Sequence, residues 1–76
     1  MENLFSINIA VNDKNVSYHV FFDHEKYIFE PEAKDRQFPS FSFKREHDEW
    51  HDQDSLSPQV KQQAIDALEK YLLAQH

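Results

Sequence analysis

The chain has 76 residues, a net charge of −6, no cysteine and no glycine. This length suits one small domain, and the lack of cysteine excludes disulfides and thiolate metal sites. The lack of glycine excludes phosphate-binding loops, dinucleotide-binding turns and nucleophile elbows, and the acidic balance argues against nucleic-acid binding.

The first part of the chain alternates apolar and polar residues with the period of a β-strand. This alternation predicts one strand over residues 4–11, a turn over 12–15 and a second strand over 16–22, joined as an antiparallel hairpin. The residues that share the apolar face are Phe5, Ile7, Ile9 and Val11 in the first strand, and Val16, Tyr18, Val20 and Phe22 in the second.

Shorter strands follow. Residues 23–26 form a second turn, and a strand over 27–30 ends at Pro31, which has no N–H for the sheet. Residues 39–45 are predicted to form a fourth strand. A fifth strand over residues 49–51, containing Trp50, is an alternative that the pattern neither requires nor excludes. Because glycine is absent, we expect Asn or Asp wherever a turn needs positive φ.

Residues 58–75 repeat with the period of an amphipathic helix. Ser57 is suited to cap its free amides, and Pro58 fits the first helical position. The apolar arc is too wide for a coiled-coil seam, so we expect this helix to lie on a sheet. Its members are Val60, Ala64, Ile65, Ala67, Leu68, Tyr71, Leu72 and Ala74.

Together these elements predict an α+β fold within a single domain, residues 1–76. It consists of an antiparallel β-meander of four strands, or five, with one C-terminal α-helix packed across one face. The predicted core comprises Phe5, Ile7, Ile9, Tyr18, Val20, Phe22, Phe29, Phe41, Phe43 and Trp50 from the sheet, and Val60, Ala64, Leu68, Tyr71 and Leu72 from the helix.

Residues 46–54 carry five acids and no Lys or Arg, so most of the excess charge lies there. The simplest interpretation is a segment that keeps the protein soluble. As an alternative it is a docking surface for a basic partner, with Asp48, Glu49, Asp52 and Asp54 as its contact residues. An acidic inhibitor that mimics nucleic acid also remains open.

A metal site is a further alternative. His47 and His51 would share an ion if residues 47–51 were helical, because positions i and i+4 lie on one face. In an extended strand they would lie roughly 13 Å apart and could not. We therefore expect no cofactor.

Leu4, Phe21 and Ile28 interrupt the otherwise polar outer face of the sheet. If they cluster, they form a patch suited to a partner or to a second copy of the chain. Catalysis by Ser17 with His19 or His24 is disfavoured, because nothing signals a donor-rich loop for developing charge.

No stretch approaches the ~20 apolar residues of a membrane-spanning helix, and the first residues lack the pattern of a secretory signal. No residue motif identifies a family. The sequence therefore predicts a cytoplasmic, non-enzymatic protein–protein interaction module with an unknown partner, and a homodimer is one form that this module could take.

Overall fold

The computed structural model describes residues 2–32, 38, 40–52 and 56–75. This part of the chain has an α+β fold, made up of a five-stranded antiparallel sheet and one C-terminal helix. The strand order follows the chain, so the sheet is a meander and the predicted fold is confirmed. Its elements are β1 (Glu2–Val11), β2 (Lys14–Asp23), β3 (Lys26–Pro31), β4 (Phe41–Glu46), β5 (Glu49–Asp52) and α1 (Pro58–Ala74).

Three of the hairpin connections are two-residue turns in which both residues have positive φ, between 50° and 65°. This is the geometry of type I′ turns, whose twist matches that of the strands they join. The residues are Asn12–Asp13, His24–Glu25 and His47–Asp48. The expectation that Asn or Asp would occupy such positions is correct for half of them and wrong for His24, Glu25 and His47.

The core lies between α1 and one face of the sheet, here called the inner face. Phe29, Phe41 and Phe43 form its centre, with ring centroids 4.9 to 5.8 Å apart. Offset and edge-to-face ring packing of this kind adds to the stabilisation from apolar burial. The buried residues of this core are Ile9, Val11, Val16, Tyr18, Val20, Phe29, Phe41, Phe43, Val60, Ala64 and Leu68.

The helix begins as the sequence predicts. Ser57 has an extended backbone, and its hydroxyl accepts a hydrogen bond from the N–H of Val60 at 3.4 Å. Pro58 occupies the first helical position. Tyr71, near the other end of α1, stacks on Phe5 with 5.0 Å between ring centroids.

Six expected core residues are only half-buried: Phe5, Ile7, Phe22, Trp50, Tyr71 and Leu72. Strand position explains this for several of them. Phe5 and Ile7 belong to β1, the edge strand, and therefore have a neighbouring strand on one side only. Phe22 and Trp50 lie close to hairpin turns, where fewer residues can cover them.

A β-bulge in β1 overturns the expected position of Leu4. Asn3 pairs with Phe21 and Phe5 pairs with Val20, so Leu4 is an extra residue in the ladder. A bulge of this kind changes the alternation of side chains between the two faces. Leu4 packs against the core cluster on the inner face and does not join Phe21 on the outer face.

Side chains of α1 bind both edge strands of the sheet. The side-chain amide of Gln63 accepts a hydrogen bond from the Ala10 N–H at 2.9 Å and donates one to the Ala10 carbonyl at 3.0 Å. Lys61 forms an ion pair with Asp52 of β5 at 3.2 Å. The helix is thus attached to both edges of the sheet.

Replacing Gln63 with alanine should test this attachment. The variant loses both hydrogen bonds to Ala10, and we expect its free energy of unfolding to fall by about 1–2 kcal/mol, measured by urea denaturation. Gln62→Ala is the matched control, because Gln62 is exposed and bonds only to Asp66 among the described residues. Equal losses in the two variants would contradict the attachment.

Replacing Glu25 with glycine should stabilise the protein. Glu25 has a φ of 65°, which brings the Cβ of an L-residue into steric conflict. Removing this conflict outweighs the added freedom of the unfolded chain, so we expect the free energy of unfolding to rise by about 0.5–1 kcal/mol. In contrast, Glu30→Gly, at an exposed position within β3, should lower it; a fall with Glu25→Gly would refute the strain argument.

Candidate functional site

The C-terminal end of α1 and two hairpin turns lie at the same end of the sheet. The helix runs antiparallel to β1, because Gln63 contacts Ala10 and Tyr71 stacks on Phe5. Its last turn therefore approaches the end at which β1 begins. In an antiparallel meander the β2–β3 and β4–β5 turns are at that end too.

A groove of about 310 Å³ opens at this end of the molecule. It is lined by Arg45 of β4 and by Glu69, Leu72 and Leu73 of α1, and we call it the end groove. Leu73 is 74% exposed, and no other large apolar side chain among the described residues is exposed. The sequence placed Leu73 off the apolar arc of the helix, but only the structure places it beside Arg45.

A row of half-buried aromatic rings leads to the end groove. The ring centroids of Phe22 and Tyr27 are 4.9 Å apart, and those of Tyr27 and Trp50 are 5.4 Å apart. The guanidinium of Arg45 lies over the Trp50 ring, 5.1 Å from its centroid. This cation–π contact fixes the aliphatic part of Arg45 at the rim of the groove.

Charged residues also lie at the end groove. Asp48, at the tip of the β4–β5 hairpin, has a side chain that is 98% exposed and lies 4.0 Å from Arg45. Glu46 and Glu49 oppose each other on the outer face, where Glu46 pairs with Lys44 at 3.1 Å. The last turn of α1 contains no basic residue, so the negative end of the helix dipole is not compensated there. The end groove thus combines the apolar side chains of Leu72 and Leu73 with the charged groups of Arg45 and Glu69, and Asp48 lies beside it.

The structure divides the acidic segment that the sequence treats as one surface. Asp48 and Glu49 are exposed at the hairpin tip, whereas the Asp52 side chain is only 25% exposed and pairs with Lys61. The hydrogen bond from Lys61 is the main reason that the pKa of Asp52 lies below its ordinary value of 3.8. Asp52 thus attaches the helix to the sheet, and Asp54 lies outside the described residues.

The expected outer patch of Leu4, Phe21 and Ile28 is not present as an exposed surface. Leu4 faces the core, as described above. Phe21 pairs with Ile28 across β2 and β3 but is only 5% exposed, and Ile28 is half-buried. An open hollow of about 270 Å³ beside Ile28 is lined also by Lys26 and by Ser40, Phe41 and Ser42.

Polar side chains on the outer face connect β1, β2 and the residue after β3. The Ser6 hydroxyl donates to Glu32 at 3.0 Å, and the two ring nitrogens of His19 lie 3.3 Å from Ser6 Oγ and 3.0 Å from Asn3 Oδ1. This cluster is exposed, and the Ser6 proton is directed to Glu32, so it lacks the arrangement of a nucleophile and its base.

Ser17, the hydroxyl considered with His19 from the sequence, is engaged elsewhere. It donates to Asn8 Oδ1 at 2.8 Å. His24 lies in the β2–β3 turn, 3.7 Å from Asp23, and its ring is almost fully exposed. These groups do not form a catalytic constellation with Ser17.

His47 and His51 do not lie on a helix. His47 is in the β4–β5 turn and His51 is in β5, opposite Lys44 and 3.9 Å from Glu49. The i,i+4 helical geometry that the metal alternative requires is therefore absent from this segment. Within the described ranges, no group of three or more His, Cys, Asp or Glu side chains is placed to hold a metal ion.

No protein-family model, curated protein or solved structure matches this chain. Among the described residues, no helix combines the length and the apolar character that crossing a bilayer requires. The function is therefore inferred from the geometry of the surface.

Because Asp52 attaches α1 to the sheet, we expect the substitution Asp52→Asn to change the stability of the fold in a pH-dependent way. A carboxylate with a lowered pKa stabilises the folded state above its ordinary pKa, and this contribution disappears as pH falls through the folded value. We expect the variant to be less stable than the wild type by up to about 1 kcal/mol near neutral pH. The difference should begin to shrink near the ordinary pKa of 3.8 and vanish as pH falls through the lower folded value.

Thermal unfolding followed by circular dichroism from neutral to acidic pH measures this difference. Asp66→Asn is the control, because it removes one carboxylate from the exposed side of the same helix. A destabilisation by Asp52→Asn that persists unchanged in acid would show that the ion pair is not its cause.

Proposed function

We propose that this protein is a non-enzymatic protein–protein interaction module that binds its partner at the end groove. The observation that carries the proposal is the exposed Leu73 in a groove at the end of an aromatic row. Every other large apolar side chain of the described residues is at least partly covered.

The residues around the groove favour a protein partner. Binding energy at protein interfaces is concentrated in Trp, Tyr and Arg side chains, and Arg45, Trp50 and Tyr27 lie in contact here. The groove is open to one side and is near the lower limit of volume for small-molecule pockets, about 300 Å³. An apolar side chain of a partner would fit between Leu72 and Arg45.

The charge around the groove favours a basic partner segment. Glu69 lines the groove, and Asp48 lies 4.0 Å from Arg45 at the hairpin tip. Arg45, the basic residue of the groove, is already engaged with Trp50 and Asp48. Lys or Arg side chains that flank an apolar anchor would complement these carboxylates, strengthening encounter and orientation.

A stable protein–protein interface covers a larger area than the end groove alone. A standard interface buries about 800 Å² on each partner. The described surface totals 5439 Å², so such an interface would take up about one seventh of it. The binding surface therefore includes the β4–β5 hairpin tip together with the last two turns of α1.

Binding of a synthetic amphipathic peptide of lysine and leucine, measured by calorimetry, tests the proposal. Replacing Leu73 with serine removes apolar area from the groove, so we expect the affinity for this peptide to fall about tenfold or more. The fold should be unaffected because the Leu73 side chain is mostly in solvent.

Controls separate the apolar and charged contributions. Glu69→Gln should weaken binding and reduce its dependence on salt, whereas Asp66→Asn, which removes the same charge from another side of α1, should change neither. A lysine–serine peptide should bind weakly and a glutamate–leucine peptide not at all. Equal binding by wild type and Leu73→Ser would refute the end groove as the binding surface.

A further inference from the structure

We infer that two copies of this chain pair through the exposed edge of β1, in antiparallel orientation, with Ile7 at the twofold axis. The inference goes beyond the proposed function, because it concerns another surface and a different partner. Three features of β1 support it: backbone groups without a hydrogen-bond partner among the described residues, structural limits at both ends of this stretch, and side chains that suit a second copy of the strand.

The backbone of β1 presents alternate residues away from β2. Both polar groups of the Ala10 peptide backbone bond to Gln63, so they point away from the sheet. Because residues of a strand alternate in this respect, the N–H and C=O groups of Asn8 and Ser6 point outward too. Among the described residues, none hydrogen bonds to these backbone groups of Ser6 or Asn8.

The two edges of the sheet differ in how well they are protected against pairing. The edge strand β5 has only four residues, of which Glu49 and Asp52 are acidic and His51 is titratable. In β1, residues 3–11 contain no charged residue and no proline. Short, charged strands prevent edge-to-edge pairing, and long uncharged ones permit it. The β1 edge is therefore the one suited to association.

The stretch of β1 that can pair with another strand is bounded three residues before and three residues after Ile7. The bulge at Leu4 interrupts the regular ladder on one side, and the Gln63 amide occupies Ala10 on the other. Residues 5–9 remain, with Ile7 at their centre. Pairing about this centre places Ser6 opposite the partner subunit's Asn8, and the two such pairs exchange four backbone hydrogen bonds.

The side chains of residues 5–9 in one copy are also complementary to those of the same residues in the second copy. Ile7 and Phe5 are on the inner face and are only half-buried in one copy. In the pair, Ile7 lies directly opposite the partner subunit's Ile7, at a closely spaced position, and further apolar area is removed from water. The paired stretch, residues 5–9, contains no charged residue, and the Glu32 carboxylate beside it accepts a hydrogen bond from the Ser6 hydroxyl.

Antiparallel pairing also separates the two proposed surfaces. The end groove lies at the end where β1 begins, so the twofold axis sends the grooves of the two copies to opposite ends of a continuous sheet. Leu73→Ser should therefore leave the dimer intact, and loss of the dimer should leave peptide binding at each groove intact. The two proposals can fail independently.

Replacing Asn8 with proline tests the pairing. Proline removes the outward N–H, which the monomer does not use, and edge strands accept proline at such positions. Asn8→Ala is the matched control, because it also loses the hydrogen bond from Ser17 but keeps the backbone donor. Molar mass is measured by light scattering from micromolar to millimolar concentration, and folding by circular dichroism.

We expect twice the monomer mass for the wild type and for Asn8→Ala, and the monomer mass for a folded Asn8→Pro. A wild type that remains monomeric at all concentrations, or a dimeric Asn8→Pro, would overturn the inference.

If Asn8→Pro does not fold, amide hydrogen exchange of the wild type tests whether two chains pair through β1. The Asn8 N–H should exchange at least tenfold more slowly at high protein concentration than at low concentration, whereas the Asn12 N–H in the β1–β2 turn should show no such change. Equal Asn8 exchange at both concentrations would refute pairing at this edge.

Discussion

The attachment of α1 to both edges of the sheet is the interaction on which the other features depend. Gln63 and Lys61, only two residues apart, reach β1 and β5 at opposite edges of a five-stranded sheet. The β3–β4 register brings the Phe29, Phe41 and Phe43 rings together, and Leu68 of α1 belongs to the same core cluster. In a chain of 76 residues without disulfides, this attachment lets a single helix complete the core.

The same attachment determines which surfaces remain available. The helix is attached at Ala10 and Asp52, and its last turn contains the exposed Leu73. Arg45, held over Trp50, faces that turn from the β4–β5 hairpin. Apolar surface is therefore uncovered at one end of the molecule, next to acidic residues, while the uncharged β1 edge is left open along its middle.

Periodicity was sufficient to predict four strands and the helix in their order along the chain, because alternation in Ile7, Ile9 and Val11 and the helical arc of α1 are strong signals. The short β5 gave no such signal and stayed an open alternative. Three features depended on contacts between distant residues and could not be predicted this way. The bulge at Leu4 is a property of the β1–β2 register, and Phe21 is buried on the outer face, where His19 and Ile28 are among its neighbours. The inward role of Asp52 depends on Lys61, nine residues later and on another element.

The glycine-free turns have a consequence for how the molecule acquires its shape. The His24–Glu25 connection adopts a backbone conformation that both of its residues disfavour, and so does His47 in the β4–β5 turn. A short peptide excised around the β2–β3 turn would hence gain little from local preference and would remain largely unstructured in water. Order must come from contacts between remote parts of the chain, so helix and strands are expected to assemble together in one concerted transition instead of hairpin by hairpin.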